Sequence, residues 1–196
     1  MNGAWNHPSF GPFTKKGSTF STTLTVPAFG RFSYDTGYPN ARRSTGKVEL
    51  SFGPWMTKEE LLKPTPEMVT IAEKALADPN KFVDAVAHGL WQEFNGRGPT
   101  NGYWWHGNLD AVGEHLLAWG LPKPEKPQDV LLALQLTAIH IFTQIDEYPH
   151  PIAYLEFHAA FEGEHGFCVV SDGERVLGTA YSGEPAIAKA VIKENN

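Results

Sequence analysis

From Ala153 to Phe161, apolar and polar positions alternate. Ala153, Leu155, Phe157, Ala159 and Phe161 fall on one side, and Tyr154, Glu156 and His158 on the other. That period of two predicts a strand with one buried face. A break at Glu162-Gly163-Glu164 precedes a second apolar run, Phe167 to Val170. Ser171-Asp172-Gly173-Glu174 then separates it from Arg175-Val176-Leu177. Asp-Gly between two such runs predicts a hairpin, because its turn residues tolerate positive φ. With Asp172 and Gly173 as a two-residue loop, Val170 lies opposite Arg175, Val169 opposite Val176 and Phe167 opposite Gly178. One face then carries His165, Phe167, Val169, Val176, Gly178 and Ala180. The other carries Glu164, Cys168, Val170, Leu177 and Tyr181. Both faces are apolar, which places the hairpin centrally in its sheet.

The first fifty residues read as short strands separated by Gly, Pro and Asn: Phe10 to Phe13, Thr19 to Val26, Phe29 to Tyr34 and Gly46 to Phe52. Tyr38-Pro39-Asn40 to Thr45 reads as a polar loop. Thr65-Pro66-Glu67 starts a helix with a hydroxyl cap, Pro in the first position and an acid in the first turn. Met68, Ile71, Ala72 and Ala75 continue it at helical spacing. Asp78-Pro79 ends it, Asn80 caps the next, and Phe82, Val83, Val86, Leu90 and Phe94 line that helix's buried face. A third helix follows Asn108, with Leu109, Val112 and Leu116 apolar, and stops at Gly120 and Pro122. Val130 to Leu134 suits a helical turn, and Thr137 to Ile145 a strand. The tail from Glu184 to Lys193 has good helix formers.

Strands, then helices, then strands indicate an α+β fold. The expectation is a single domain over 1–196: N-terminal strands in 8–52, a helical segment in 64–120 and a C-terminal sheet in 134–183. About three central helices pack on one face of a mainly antiparallel sheet.

Composition narrows the partners. The net charge is −6, and no basic cluster exceeds Lys15-Lys16 or Arg42-Arg43, which argues against nucleic acid. The one cysteine, Cys168, falls in a predicted strand and reads as a small buried hydrophobe. The N-terminus shows no signal pattern and no apolar run reaches about 18 residues, so no membrane span is expected and the cytoplasm is the expected compartment.

Chemistry concentrates in two places. Glu156, His158, Glu162, Glu164 and His165 form an acid–histidine patch. Glu156, His158, Glu164 and His165 are the candidate metal ligands, although neighbours on a strand point oppositely and no His-Glu-x-x-His helix pair exists. The plainer role is a polar strand face. The second place is the loop from Gly96 to Gly107, Gly-rich yet carrying Tyr103, Trp104 and Trp105. Aromatics on such a loop suit a recognition surface; the plainer role is that the tryptophans fold back and plug the helical layer. Asp84, His88, Gln92 and Asn95 read as a solvated helix face. No phosphate loop and no Gly-x-Ser-x-Gly elbow occurs.

The run Phe161-Glu162-Gly163-Glu164-His165-Gly166-Phe167, followed by Val169-Val170, the Asp-Gly turn and Val176-Leu177-Gly178, resembles a group of uncharacterised bacterial domains. Some of these are similar to immunity proteins of toxin systems. His7-Pro8-Ser9-Phe10-Gly11 resembles their start; the middle of the chain hardly matches. Phe161 stands where Trp is common, and Gly163 where a polar residue is. The resemblance implies an α+β domain without established catalysis and marks Glu164, His165 and Gly166 as signature positions.

The expected function is non-enzymatic binding of another protein, in its narrower form a toxin. Tyr103, Trp104, Trp105, Glu162, Glu164 and His165 are the candidate contacts, and no cofactor is required. The rival is a metal-dependent or acid–base hydrolase using the patch at 156–165.

Overall fold

Two antiparallel meanders meet edge to edge in this chain, and helices fill the interval between them. The computed structural model describes residues 4–35, 46–56, 60–145, 147–184 and 186–194. The first meander is β1 (Ala4–His7), β2 (Gly11–Lys16), β3 (Thr19–Thr25) and β4 (Lys47–Gly53). The second is β5 (Leu134–Phe142), β6 (Ile152–Ala159), β7 (Glu162–Ser171) and β8 (Val176–Tyr181). They form one eight-stranded sheet whose spatial order is the chain order. Every neighbouring pair is antiparallel except β4 and β5, which run parallel. A parallel pair needs a crossover. Here it contains α1 (Pro66–Ala77), α2 (Pro79–Phe94) and α3 (Leu109–Ala118). The fold is therefore α+β on a mostly antiparallel sheet.

Local chemistry explains the element ends. Thr65 Oγ1 accepts from the Met68 amide at 3.3 Å and Pro66 opens α1. Asp78, rather than Asn80, caps α2: its Oδ1 accepts from the Lys81 amide at 3.1 Å, and Pro79 takes the first helical position. Phe82, Val83, Val86, Leu90 and Phe94 are all buried, as their spacing predicts. The strand expected over Phe29 to Tyr34 is instead a 3-10 helix, Pro27–Arg31, with an irregular continuation. Pro27 lacks a ladder donor, and burial of Phe29 and Phe32 holds the segment down. The Ser33 and Tyr34 amides then donate to the Leu131 and Leu134 carbonyls. The turn expected near Val130 is a second 3-10 helix, Pro127–Ala133. The strand β1 carried no clear sequence pattern. The expected loop from Tyr38 to Thr45 lies outside the described residues.

The C-terminal hairpin forms where expected but in another register. Ser171 pairs with Val176, Val170 with Gly178, Val169 with Thr179 and Phe167 with Tyr181. The loop holds four residues rather than two, because Asp172 organises it through its side chain: Oδ1 accepts from the amides of both Glu174 and Arg175. Gly173 sits at φ 91°, and a Cβ there would lie 2.6 Å from the Ile71 carbonyl oxygen, so the turn packs directly on α1. The slip in register moves Tyr181 to the side of Phe167 and Val169, and Ala180 to the side of Cys168. The preceding break falls at Ala160-Phe161, so Glu162 to Glu164 belong to β7. The hairpin is also not central, because β8 is the last strand of the sheet.

Its two apolar faces are explained by two covers. On one face, α1, α2 and α3 bury Met68, Val83, Leu90, Phe94, Val112 and Leu116 against Phe13, Phe52, Leu155, Phe157 and Phe167. On the other, the C-terminal segment and α4 (Lys189–Glu194) bury Ala188 and Val191 against Tyr154, Cys168 and Val170. The helices are thus not confined to one face. Gly178 permits the second cover: a Cβ there would lie 1.9 Å from the Ala186 carbonyl oxygen. The C-terminal cover reaches only β6 to β8. Over β2 to β5 that same face presents Thr14, Ser21, Thr23, Glu49, Ser51 and His140 in register. Among the described residues, no helix is long and apolar enough to cross a membrane.

Candidate functional site

The aromatic loop and the acid–histidine patch do meet, at the end of the sheet where β7 begins and β8 ends. Their meeting is mostly internal. Glu93, on the buried stripe of α2, is 0% exposed and organises the loop. Its Oε1 accepts from the Thr100 amide at 3.0 Å, and its Oε2 lies 2.8 Å from His106 Nδ1. The Gly107 amide donates to its backbone carbonyl. Burial pushes the Glu93 carboxyl above the usual carboxylate range, against the opposing pull of the His106 and Thr100 hydrogen bonds.

Held in this way, Trp105 is 0% exposed and donates from Nε1 to Thr179 Oγ1 at 3.1 Å. It stacks on Tyr103 with centroids 4.8 Å apart and meets Phe161, Phe167 and Tyr181 edge-on. Trp105 is therefore core, not a surface contact. Trp104 is half-buried, packs on His115 and donates from Nε1 to Glu162 Oε2 at 2.9 Å. Tyr103 donates its hydroxyl to the Glu184 carbonyl. Glu162 is buried too, and its Oε1 faces both the His165 amide at 3.2 Å and His165 Nδ1 at 3.1 Å. Burial acts to raise the Glu162 carboxyl, but the hydrogen bonds from Trp104 and His165 outweigh it and hold the group below its ordinary value. Of the six candidate contacts, only Glu164 and His165 are exposed.

The four candidate metal ligands do not converge. Glu156 and His158 share the outer face of β6, while Glu164 and His165 stand near the start of β7. Among the described residues, no group of three or more His, Cys, Asp and Glu side chains could hold a metal ion. Glu156 instead faces a residue that the sequence pattern did not single out. Its Oε2 lies 3.6 Å from His140 Nε2 on β5, and His140 Nδ1 lies 2.6 Å from Ser51 Oγ on β4. With the imidazole proton on Nε2 toward the carboxylate, Nδ1 accepts from the Ser51 hydroxyl. The interaction with His140 holds the Glu156 carboxyl below its ordinary value, against the effect of burial.

A serine, a histidine and a carboxylate in sequence are the parts of an acyl-transfer centre. Two features weigh against that chemistry. Ser51 is 2% exposed. It also lies inside a strand flanked on both sides by β3 and β5, where backbone amides serve the ladder rather than an oxyanion. The row is better suited to holding a polar ligand. Above it opens a recess of about 390 Å³, walled on one side by Trp55 and Tyr154 and on the other by Glu49 and Glu156. Trp55 packs edge-on against Phe142 at 4.9 Å, and the Tyr154 hydroxyl accepts from the Gly183 amide at 3.0 Å. A second recess of about 570 Å³ shares Trp55, Met56 and Gly183 with the first. A third, of about 370 Å³, shares Glu49 with it. Met56 stands at the common lip, 78% exposed and at φ 46°. An unbranched but non-glycine residue held there is a strained feature of the kind that gathers at binding sites.

Sequence signals for some of these residues existed. Glu93 continues the helical stripe of Val86 and Leu90, and His140 interrupts an apolar strand between Ile139 and Ile141. Ser51 had no such mark. No protein-family model, no curated protein and no solved structure matches the chain.

Proposed function

We propose that this chain is a non-enzymatic, cytoplasmic binding domain for another protein, and that it works through the open half of its sheet face. The supporting observation is the unequal treatment of that face. The chain covers β6 to β8 with its own C-terminal segment, and over β2 to β5 leaves Thr14, Thr23 and Glu49 exposed and Ser21 and His140 half-exposed among the described residues. Joined recesses along the row give it relief. The net charge of −6 favours a basic partner over nucleic acid. The resemblance of the C-terminal hairpin to immunity-like domains supplies the narrower form, in which the partner is a toxin and binding inhibits it.

Capture of partners from source cells, compared across variants, tests this. Thr23→Arg on the open face is expected to abolish capture. Trp119→Ser, at an exposed position beyond α3, is expected to leave it intact. The reverse pattern would move the working surface to the helical side. The hydrolase alternative has the Ser51–His140–Glu156 row in its favour. A fluorophosphonate probe checks it: labelling that disappears in Ser51→Ala would replace the binding reading with an enzymatic one.

A further inference from the structure

We propose that the recess lined by Glu49, Ser51, His140 and Glu156 receives the guanidinium group of an arginine presented by the partner protein. This rests on the reading of the open face as a protein-binding surface. Glu49, Ala138 and Glu156 lie side by side in one cross-strand row. Adjacent strands are about 4.8 Å apart, so the two acidic residues stand roughly 10 Å apart at their Cα atoms. The recess opens beside that row, over Ser51 and His140, with both carboxylates in its lining. A planar cation with several donors fits between two carboxylates in that arrangement, because guanidinium can address both from a single position.

Three further observations favour a cation there. Glu49 is exposed and makes no ion pair with any described residue, including Lys47 further along the same strand face. Glu156 is kept ionised by His140, which approaches its Oε2. Trp55 and Tyr154 form the adjoining wall, and guanidinium stacks on aromatic faces more readily than ammonium does. The volume of about 390 Å³ lies within the range of small-ligand sites. The larger neighbouring recess, with Ile145, Ile187 and Ile192 in its lining, suits an apolar side chain beside that arginine on the same partner segment.

The probe is N-acetyl-arginine methylamide, followed by NMR at the Trp55 indole N–H and the His140 ring. Saturable shifts are expected. The neutral citrulline counterpart is expected to bind at least about tenfold more weakly, since it lacks the charge-assisted contacts. Glu49→Gln with Glu156→Gln should remove the response. Trp55→Ala, which removes the aromatic wall and keeps both charges, should weaken it severalfold, read at the His140 ring. No saturable shift, or equal binding of the citrulline compound, overturns the proposal. If Thr23→Arg still abolishes partner capture in that case, the protein-binding reading stands without it. Saturable arginine binding with capture unaffected by every open-face variant overturns it differently: the occupant is then a free guanidinium compound and the protein-binding reading falls.

Discussion

Glu93 and Glu156 each face a histidine, and their surroundings give the two pairs opposite characters. Glu93 is sealed between α2 and the aromatic loop, its oxygens taken by the Thr100 amide and His106, and burial raises its carboxyl. Glu156 stands on the open face, its side chain 43% exposed, and its histidine lowers its carboxyl. The sealed pair orders a loop and commits its hydrogen bonds inward. The open pair leaves charge at the surface. The same two residue types therefore form an internal brace in one place and an exposed charged pair in the other, and solvent access decides which.

The widest gap between the two regions should come from the brace's own aromatic plug. Trp105→Ala is expected to cost about 3–5 kcal/mol in urea unfolding, because it empties a fully buried site. Glu93→Ala should cost about 3 kcal/mol, leaving the Thr100 amide without its acceptor and His106 without its partner. Glu156→Ala should change stability by less than about 1 kcal/mol, as expected for a solvent-screened pair. A loss at Glu156 as large as that at Glu93 would erase the distinction.

Acid titration gives the finest test, since the two carboxyls bend stability in opposite directions. The ordinary value for both is 4.5. Glu93 has the raised folded value, so its contribution is full below 4.5 and is lost as pH rises through that raised value. Glu156 has the lowered one, so its contribution is full above 4.5 and is lost as pH falls through that lowered value. Comparing wild type with Glu93→Gln and with Glu156→Gln between about pH 3 and 7 should show differences of opposite slope. Equal slopes would mean that the two sites share one environment.

Much of the fold could be read from periodicity. The alternation in β6 and the apolar stripe of α2 survive in the structure because each depends on a repeating local pattern. The hairpin's position was legible from Asp172-Gly173, but its register was not. Register depended on Asp172 bonding two amides beyond the turn, which a two-residue loop does not anticipate. The acids and histidines of 156–165 were visible as a cluster, yet the pairing that matters for Glu156 joins it to β5 and β4. Such a contact is set by strand order, and nothing in the local pattern around Glu156 specifies which strand lies beside it. Trp105 shows the converse limit: the Gly-rich loop suited either an exposed recognition role or tryptophans folded back as a plug, and Glu93 turns it inward.

The parallel junction between β4 and β5 has a consequence for how the molecule matures. The other strand pairs are joined by shorter connections, the longest of them between β3 and β4, whereas this one waits until the whole helical interval has been threaded and docked. Ser51 and Glu49 lie on one bank of that seam, His140 and Ala138 on the other. A half-assembled chain can thus display either meander but not the assembled pocket, which makes occupancy of the pocket a report that folding has finished.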